Sequence, residues 1–457
     1  MGTYQDYGNA EFGDERLSKR MVKLLEQLSG RPESKVSAAC QDPHQAKAAY
    51  RFLANDEVTI EEITKITRDV TMGKINAAKP SVVLIPQDTS GLSYNTLRAT
   101  DGLGCMGNNK RSLGINIHSA MAISENGEVY GLVAQKLWVR PPDDFGQSDG
   151  KRARVPIEEK ESYKWIETLE KVGTTFPEDT MVVHICDREG DIYELFCKAL
   201  KEGVHYLCRR SYNRNIEDED GLQKLDDLVK SLPKGFNITV RVPRDSHTGR
   251  IARDAEIEVK FGKCKIQKSA QLAGNKELPE SIEVFFVSAV EIDPPLKNEA
   301  ISWQLLTNVP TNNNEDALAR IAWYTQRWKI ETFHRTLKSG CKVEELQSDS
   351  AEKLKKLIAI YSIIALEIMQ LTYIARVYPD ESCEKHLTED EWKILYKAAN
   401  KTKKLPEKPP TIYEAVVMIA KLGGFLGRKS DGFPGVTVIW RGLTSLYIVL
   451  DAIPFLM

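Results

Sequence analysis

Residues Thr180–Arg209 read TMVVHICDREGDIYELFCKALKEGVHYLCR. TMVVHICD is a short apolar run closed by a carboxylate, Asp187, which is the pattern of a strand buried on both faces. Asp191–Leu200 has helical periodicity, and VHYLCR (Val204–Arg209) is again a strand, so the stretch predicts a strand–helix–strand unit. Upstream, VVLIPQD is a second apolar run that closes on a carboxylate, Asp88. INIHSAMAIS and VYGLVAQKLWV flank the turn residues Glu125–Gly127, a hairpin signature, and Ile157–Val172 reads as an amphipathic helix. Three strands followed by alternating helix and strand predict an α/β core with a mixed sheet. From about Ser211 to Leu306 the alternation stops. The β-branched runs NITVRV, AEIEVKF and SIEVFFVSAV predict an inserted β domain. Helix returns at Glu315–Lys338, and Lys353–Arg376 is a long apolar helix.

The two ends are helical in pattern. Arg16–Leu28 places Leu17, Met21, Leu24, Leu25 and Leu28 on one face, with Asp14 positioned as N-cap. Its other face carries Arg16, Lys19, Arg20 and Lys23, which taken alone is an ordinary solvated helix surface. Lys397–Pro410 reads as a lysine-rich solvated linker, and Tyr413–Met457 as a last helical unit. The expected division is residues 1–75, 76–376 with the β insertion at about 211–306, and 377–457.

The 457 residues include 63 Lys and Arg against 65 Asp and Glu, a net charge of −2, and 42% are hydrophobic. The near-neutral sum hides local blocks. Six basic residues face one acidic residue between Arg320 and Lys342, and again between Lys393 and Lys408, so positive charge is concentrated in the second half. The eight cysteines have no CxxC spacing, which indicates neither a zinc site nor a disulfide framework. No run of eighteen apolar residues and no leader composition is present, so the expectation is a cytoplasmic protein without membrane insertion.

A carboxylate at a strand end is usually a cap or turn residue. The third acidic position changes the reading: Tyr324, Arg327, Glu331 and Lys338 follow one another at intervals of three, four and seven, which would set them on about one face of a helix. A single carboxylate among cations suits an ion-pair network. It equally suits phosphoryl chemistry, in which carboxylates from separated elements hold two divalent ions and nearby cations hold a phosphodiester in register.

On these residues the sequence resembles the bacterial cut-and-paste DDE transposases of the IS-four group, most closely the Tn-five type. The matching motifs are QDTSGLSY around Asp88, CDREGDIY around Asp187, and YTQRWKIETFHRTLK, which fits the group's Y-x2-R-x3-E-x6-K signature. GDERLSKR, AAYRFLAND, LWVRPPDD and IAKLGGFLGRKSDG extend the resemblance over nearly the whole chain. It implies an RNase H-like core interrupted by a β insertion, with helical N-terminal and C-terminal domains for end binding and dimerisation.

The resemblance further implies that Asp88, Asp187 and Glu331 are the catalytic and metal-binding triad, using Mg2+ with Mn2+ as a substitute. Tyr324, Arg327 and Lys338 would contact phosphates, and Trp303 would take up a flipped base. Arg209 and Arg210, at a strand exit, and Arg16, Lys19, Arg20 and Lys23 are further candidates for DNA contact. The partners implied are double-stranded DNA, as transposon terminal repeats and target, and a second copy of the chain in a synaptic homodimer. The protein would be cytoplasmic, and nucleoid-associated when on DNA. GLGCMGNNK does not fit a P-loop, so no nucleotide cofactor is expected. His334 and His118 read as structural. Two rivals stand beside this reading: an RNase H-like DNA endonuclease without strand transfer, and a transposase-derived DNA-binding regulator.

Overall fold

The computed structural model describes residues 4–40, 42–107, 109–140, 155–173, 176–218, 221–242, 251–295, 300–428 and 431–456. The PPDD portion of LWVRPPDD and Lys429 lie outside the described residues. The chain forms two compact units, each built from separated segments: residues 1–80, 89–146 and 328–457 make the first, and 81–88 with 147–327 the second.

The first unit opens with four helices, α1 (Glu15–Ser29), α2 (Val36–Ala39), α3 (Pro43–Leu53) and α4 (Ile60–Ala78). Asp14 caps α1 as expected, accepting from the Arg16 amide at 2.9 Å, and Thr59 caps α4 by accepting from the Glu62 amide. Strand β1 (Val82–Ser93) passes from the second unit into the first after Asp88. There β2 (Gly104–Met106), β3 (Asn109–Ser124) and β4 (Val129–Trp138) follow, with β3 and β4 forming the predicted antiparallel hairpin.

In the second unit, α5 (Tyr163–Val172) precedes β5 (Met181–Cys186), α6 (Tyr193–Glu202) and β6 (His205–Arg209). β5 lies parallel to both β1 and β6, the geometry that the strand–helix–strand reading requires. Next come β7 (Asn215–Asp218), β8 (Gly221–Lys224), α7 (Leu225–Ser231), β9 (Phe236–Val242), β10 (Arg253–Gln267), β11 (Ser281–Glu291) and β12 (Ser302–Thr307). Their strand order is β1-β5-β6-β12-β11-β10-β7-β8, with β9 on β10. The expected β insertion is present, and its strands continue the core sheet. β12 pairs antiparallel with β6, Leu306 opposite Cys208, and the insertion extends the core sheet. Alternation alone cannot show this, because period two reports which face is buried and not which neighbour a strand has. The result is a mixed α/β sheet, as the sequence predicts.

Helix α8 (Asn314–Thr325) ends the second unit. The first unit resumes with α9 (Trp328–Arg335), a π-helical turn at Thr336–Gly340, α10 (Ala351–Val377), α11 (Glu389–Asn400), α12 (Ile412–Leu422) and α13 (Val436–Leu456). Capping boxes start α11 (Thr388 with Glu391) and α12 (Thr411 with Glu414). So the lysine-rich segment from Lys397 begins inside a helix. Helix α10 is long and apolar enough to cross a membrane, yet 78% of its most apolar window is buried in the fold. It packs with Leu24, Leu25 and Phe52 of the first helices and Ile419 of α12 in one apolar cluster. At the crossing of α12 and α13, a Cβ on Gly442 would stand 1.8 Å from the Ile419 carbonyl and one on Gly423 would stand 1.9 Å from that of Val438. Only glycine permits this approach.

Candidate active site and nucleic-acid interface

The paired strands β1 and β5 align Pro86 with Ile185. Two residues beyond each lie Asp88 and Asp187, so two carboxylates stand level at neighbouring parallel strands. The strand stems are buried, while both aspartates are half-exposed. Between the stems, Gln87 Nε2 meets His184 Nδ1 at 2.7 Å, and burial pushes the His184 pKa down to about 3, so this histidine is neutral. Asp187 ends its strand by capping a short turn, accepting from the Glu189 amide at 2.8 Å. The turn needs Gly190, because a Cβ there would lie 2.5 Å from Cys186 Cβ.

Burial raises the pKa of Asp187, and the neighbouring charges of Glu189 and Asp88 raise it further, against the Glu189 amide and Arg327. Two like charges held close in a partly desolvated place form a site that a cation would relieve. The donors are hard oxygens, which suit Mg2+ or Mn2+ and not a thiophilic metal. Among the described residues no three His, Cys, Asp or Glu side chains gather into a metal-holding group. The pair comes from the second unit, and Glu331 belongs to the first.

The expected continuous helix Glu315–Lys338 is interrupted. Gln326 and Arg327 donate backbone bonds to Trp323 and Tyr324 three residues back, at 3.0 and 3.1 Å. This tightened turn ends α8, and α9 begins at Trp328. After Arg335, the Cys341 amide bonds the Thr336 carbonyl five residues back, which widens the helix into its π turn. Tyr324 and Arg327 are therefore buried in the second unit, with Arg327 5.9 Å from the Tyr324 ring centroid. Glu331 and Lys338 are half-exposed in the first. The four residues thus fall on successive stretches: the end of α8, the tightened turn, α9 and its π turn. Residue spacing carries the sequence signature but cannot register an i→i−3 or i→i−5 bond.

Lys329, two residues before Glu331, is buried. Its Nζ donates to the Gly127 carbonyl at the β3–β4 turn (2.7 Å) and stands 4.6 Å from the Tyr373 ring centroid. Burial, reinforced by Arg376, lowers its pKa to about 7. A lysine amid basic neighbours gave no sign of this bracing role. His334 faces Ser119 Oγ at 3.3 Å and His118 faces Thr89 Oγ1 at 2.9 Å; both are buried, as packed histidines should be.

The other candidates are dispersed. Trp303 lies on β12 opposite Ala289 and is half-buried against the cluster that contains Leu305 and Tyr324. Arg209 donates to the Ser302 carbonyl at 2.8 Å, and Arg210 is buried in a pair with Asp226. Asp191, the second aspartate of CDREGD, is fully buried. It pairs with Arg214 and accepts from the Ser211 amide at 2.7 Å, which pins the chain beyond β6.

On α1, Arg16 pairs with Asp14 and Lys19 with Glu15, all at the surface, while Arg20 reaches Gln45 at 2.6 Å and fastens α1 to α3. Lys23 is exposed. The more open basic surface is on α3. There Lys47, Tyr50 and Arg51, with Lys353 of α10, line a concavity of about 730 Å³ that also contains Asp42. In the sequence, the signal for this surface is Lys47 and Arg51, four residues apart beside Tyr50.

Three families match in chain order. Residues 4–58 match the transposase DNA-binding domain, 179–367 the transposase DDE domain, and 363–455 the transposase Tn5 dimerisation domain. The DDE match contains Asp187 and Glu331; Asp88 lies before it. Among solved structures, the cryo-EM structure of the piggyBac transposase synaptic complex with hairpin DNA aligns with a TM-score of 0.36 and 11% identity, over 82% of this chain and 73% of that one. With a head, a catalytic span and a tail of one kind of enzyme matched in order, the chain belongs to the Tn5-type DDE transposases of the IS4 family.

Proposed function

We propose that this transposase binds the inverted terminal repeats of its element as a homodimer, cuts both DNA strands, and joins the freed 3′-OH ends to target DNA. Residues 1–75 take the end, through Lys23, the remaining basic face of α1 and the Lys47–Arg51 surface of α3. Residues 76–376 carry the chemistry and 377–457 the pairing of protomers. The observation that carries the reading is the level pair Asp88 and Asp187 on adjacent strands, whose mutual repulsion a divalent cation would offset.

Asp88 and Asp187 would hold Mg2+ together with Glu331, and Mn2+ would substitute. When bound, the ions supply activation of the attacking oxygen and charge stabilisation at the leaving oxygen. Arg327 and Lys338, with Tyr324, keep the phosphodiester in line. Water opens the first strand, the new 3′-OH attacks the opposite strand to close a hairpin, and a second water opens it. Trp303 stacks on the base displaced in the hairpin. No nucleotide cofactor takes part, and the protein works in the cytoplasm of a bacterium, on the nucleoid.

Replacing Asp88, Asp187 or Glu331 by Ala is expected to abolish Mg2+-dependent cleavage of an end duplex, with end binding retained, because binding rests on cations spread over several elements. Nicking at the wild-type rate by any one variant would remove that residue from the triad. Denaturing gels distinguish hairpin from open ends, and recovery of joined plasmid distinguishes a transposase from a nuclease that only hydrolyses.

A further inference from the structure

Just past the signature lies a concavity of about 370 Å³, lined by Glu33, Arg335, Ser339, Lys342, Thr437, Trp440 and Arg441. It lies wholly within the first unit. Three segments build it: the chain after α1, the end of α9 with its π turn, and the first turns of α13. Three cations face one carboxylate, so the lining has an excess of two positive charges. Arg335 and Arg441 are exposed. Lys342 sits at φ 48°, in the left-handed region, and its ammonium is 3.2 Å from Glu33. The π turn brings Gly340 against the buried Trp440, where a Cβ would be 3.0 Å from the ring, so the floor of the concavity is close-packed and apolar. Ser339 and Thr437 add hydroxyl donors.

We propose that this concavity seats a backbone phosphate of duplex DNA, held by Lys342 and Arg441 together with Arg335. The inference rests on the DNA-processing reading above. Arg335 lies four residues after Glu331 on α9, about 6 Å along the helix axis. A phosphate seated here thus belongs to the DNA next to the reacting bond, and its grip joins the signature helix to the tail. Glu33 occupies Lys342 when DNA is absent and yields it to the phosphate.

Two sources share this chemistry, the transposon end and the target, and two measurements separate them. Binding of the full-length protein to an end duplex is measured against salt for wild type, the double variant Lys342→Gln/Arg441→Gln, and Glu33→Gln. Capture of a supercoiled plasmid is measured with precleaved ends. Losing one phosphate contact should lower the slope of log K against log salt by roughly one, and weaken binding by roughly tenfold at 0.1 M salt. Glu33→Gln should do the reverse, tightening binding and steepening the slope, an effect that a merely structural role would not give. Changes in end binding assign the phosphate to the transposon end; changes only in plasmid capture assign it to the target. Wild-type values in both assays overturn the proposal, and so does weaker binding by Glu33→Gln. Failure of the wild-type protein to prefer end DNA would instead count against the reading of function.

Discussion

Glu367 makes the stability of the first unit depend on pH in a way that one substitution should remove. It lies on α10, half-buried. The Tyr4 hydroxyl donates to it, Lys74 faces it from α4, and Glu391 faces it from α11. Glu391 in turn accepts from Tyr447 at 2.7 Å and from the Thr388 amide at 2.8 Å. Burial is the largest influence on Glu367 and Glu391 acts with it, so its pKa rises from 4.5 to about 7 although Tyr4 and Lys74 pull the other way. A raised carboxyl pKa means that the folded state holds a proton the unfolded chain has released. The favourable contribution is therefore complete below about pH 4.5 and is lost as pH rises through 7. A shift of about 2.5 pH units corresponds to roughly 3 kcal/mol.

Glu367→Gln keeps the shape and an oxygen for Tyr4 but cannot ionise. Urea unfolding of wild type and variant at pH 5, 6, 7 and 8 is the assay, and the quantity of interest is their difference. His184 titrates with the opposite sign: burial lowers its pKa, so its contribution is lost as pH falls below 6.5. The wild-type profile alone is therefore flattened. The variant should gain about 2.5 kcal/mol on wild type between pH 5 and pH 8, the part of the whole effect that falls inside this range. A difference that stays constant across this range would refute the reasoning.

Asp191→Ala should cost about 3 to 5 kcal/mol, because it leaves the Arg214 guanidinium buried without its carboxylate; thermal unfolding reads this directly. Trp303→Ala should nick end DNA normally but form hairpins at least about tenfold more slowly, since a stacking platform contributes about 1 to 3 kcal/mol per base. An abasic residue at the displaced position should partly restore it, and normal hairpin rates on intact DNA would leave Trp303 a packing residue. Gly442→Ala should force α12 and α13 apart, lowering the unfolding midpoint and, in light scattering, the fraction of protein–DNA complexes that hold two chains.

Much of this was legible because it is local. Asp14, the turn at Glu125–Gly127 and the apolar runs closing on Asp88 and Asp187 each declare themselves within a few residues, and the motif carrying Glu331 identified the family. What escaped depends on partners distant in sequence. Spacing put Tyr324 and Lys338 on one helix, whereas two short backbone shifts separate them. The β-rich stretch was legible as an insertion, but nothing in it names β6 as the neighbour of β12. Composition counts Arg210, Lys329 and Arg335 alike as basic. Only the fold shows that the first is locked to Asp226, the second braces a hairpin turn, and the third is exposed.

Helix α10 has a consequence for how the protein is made. A segment able to pass for a membrane span leaves the ribosome after three-quarters of the chain, when α1, α3 and α4 already exist but α12 and α13 do not. Until the tail is synthesised, the α10 face that later meets Ile419 lacks that cover and leaves apolar surface in water. A chain stopped soon after Val377 would retain that exposure permanently, so the yield of soluble protein should depend on the tail even in assays where pairing of protomers plays no part.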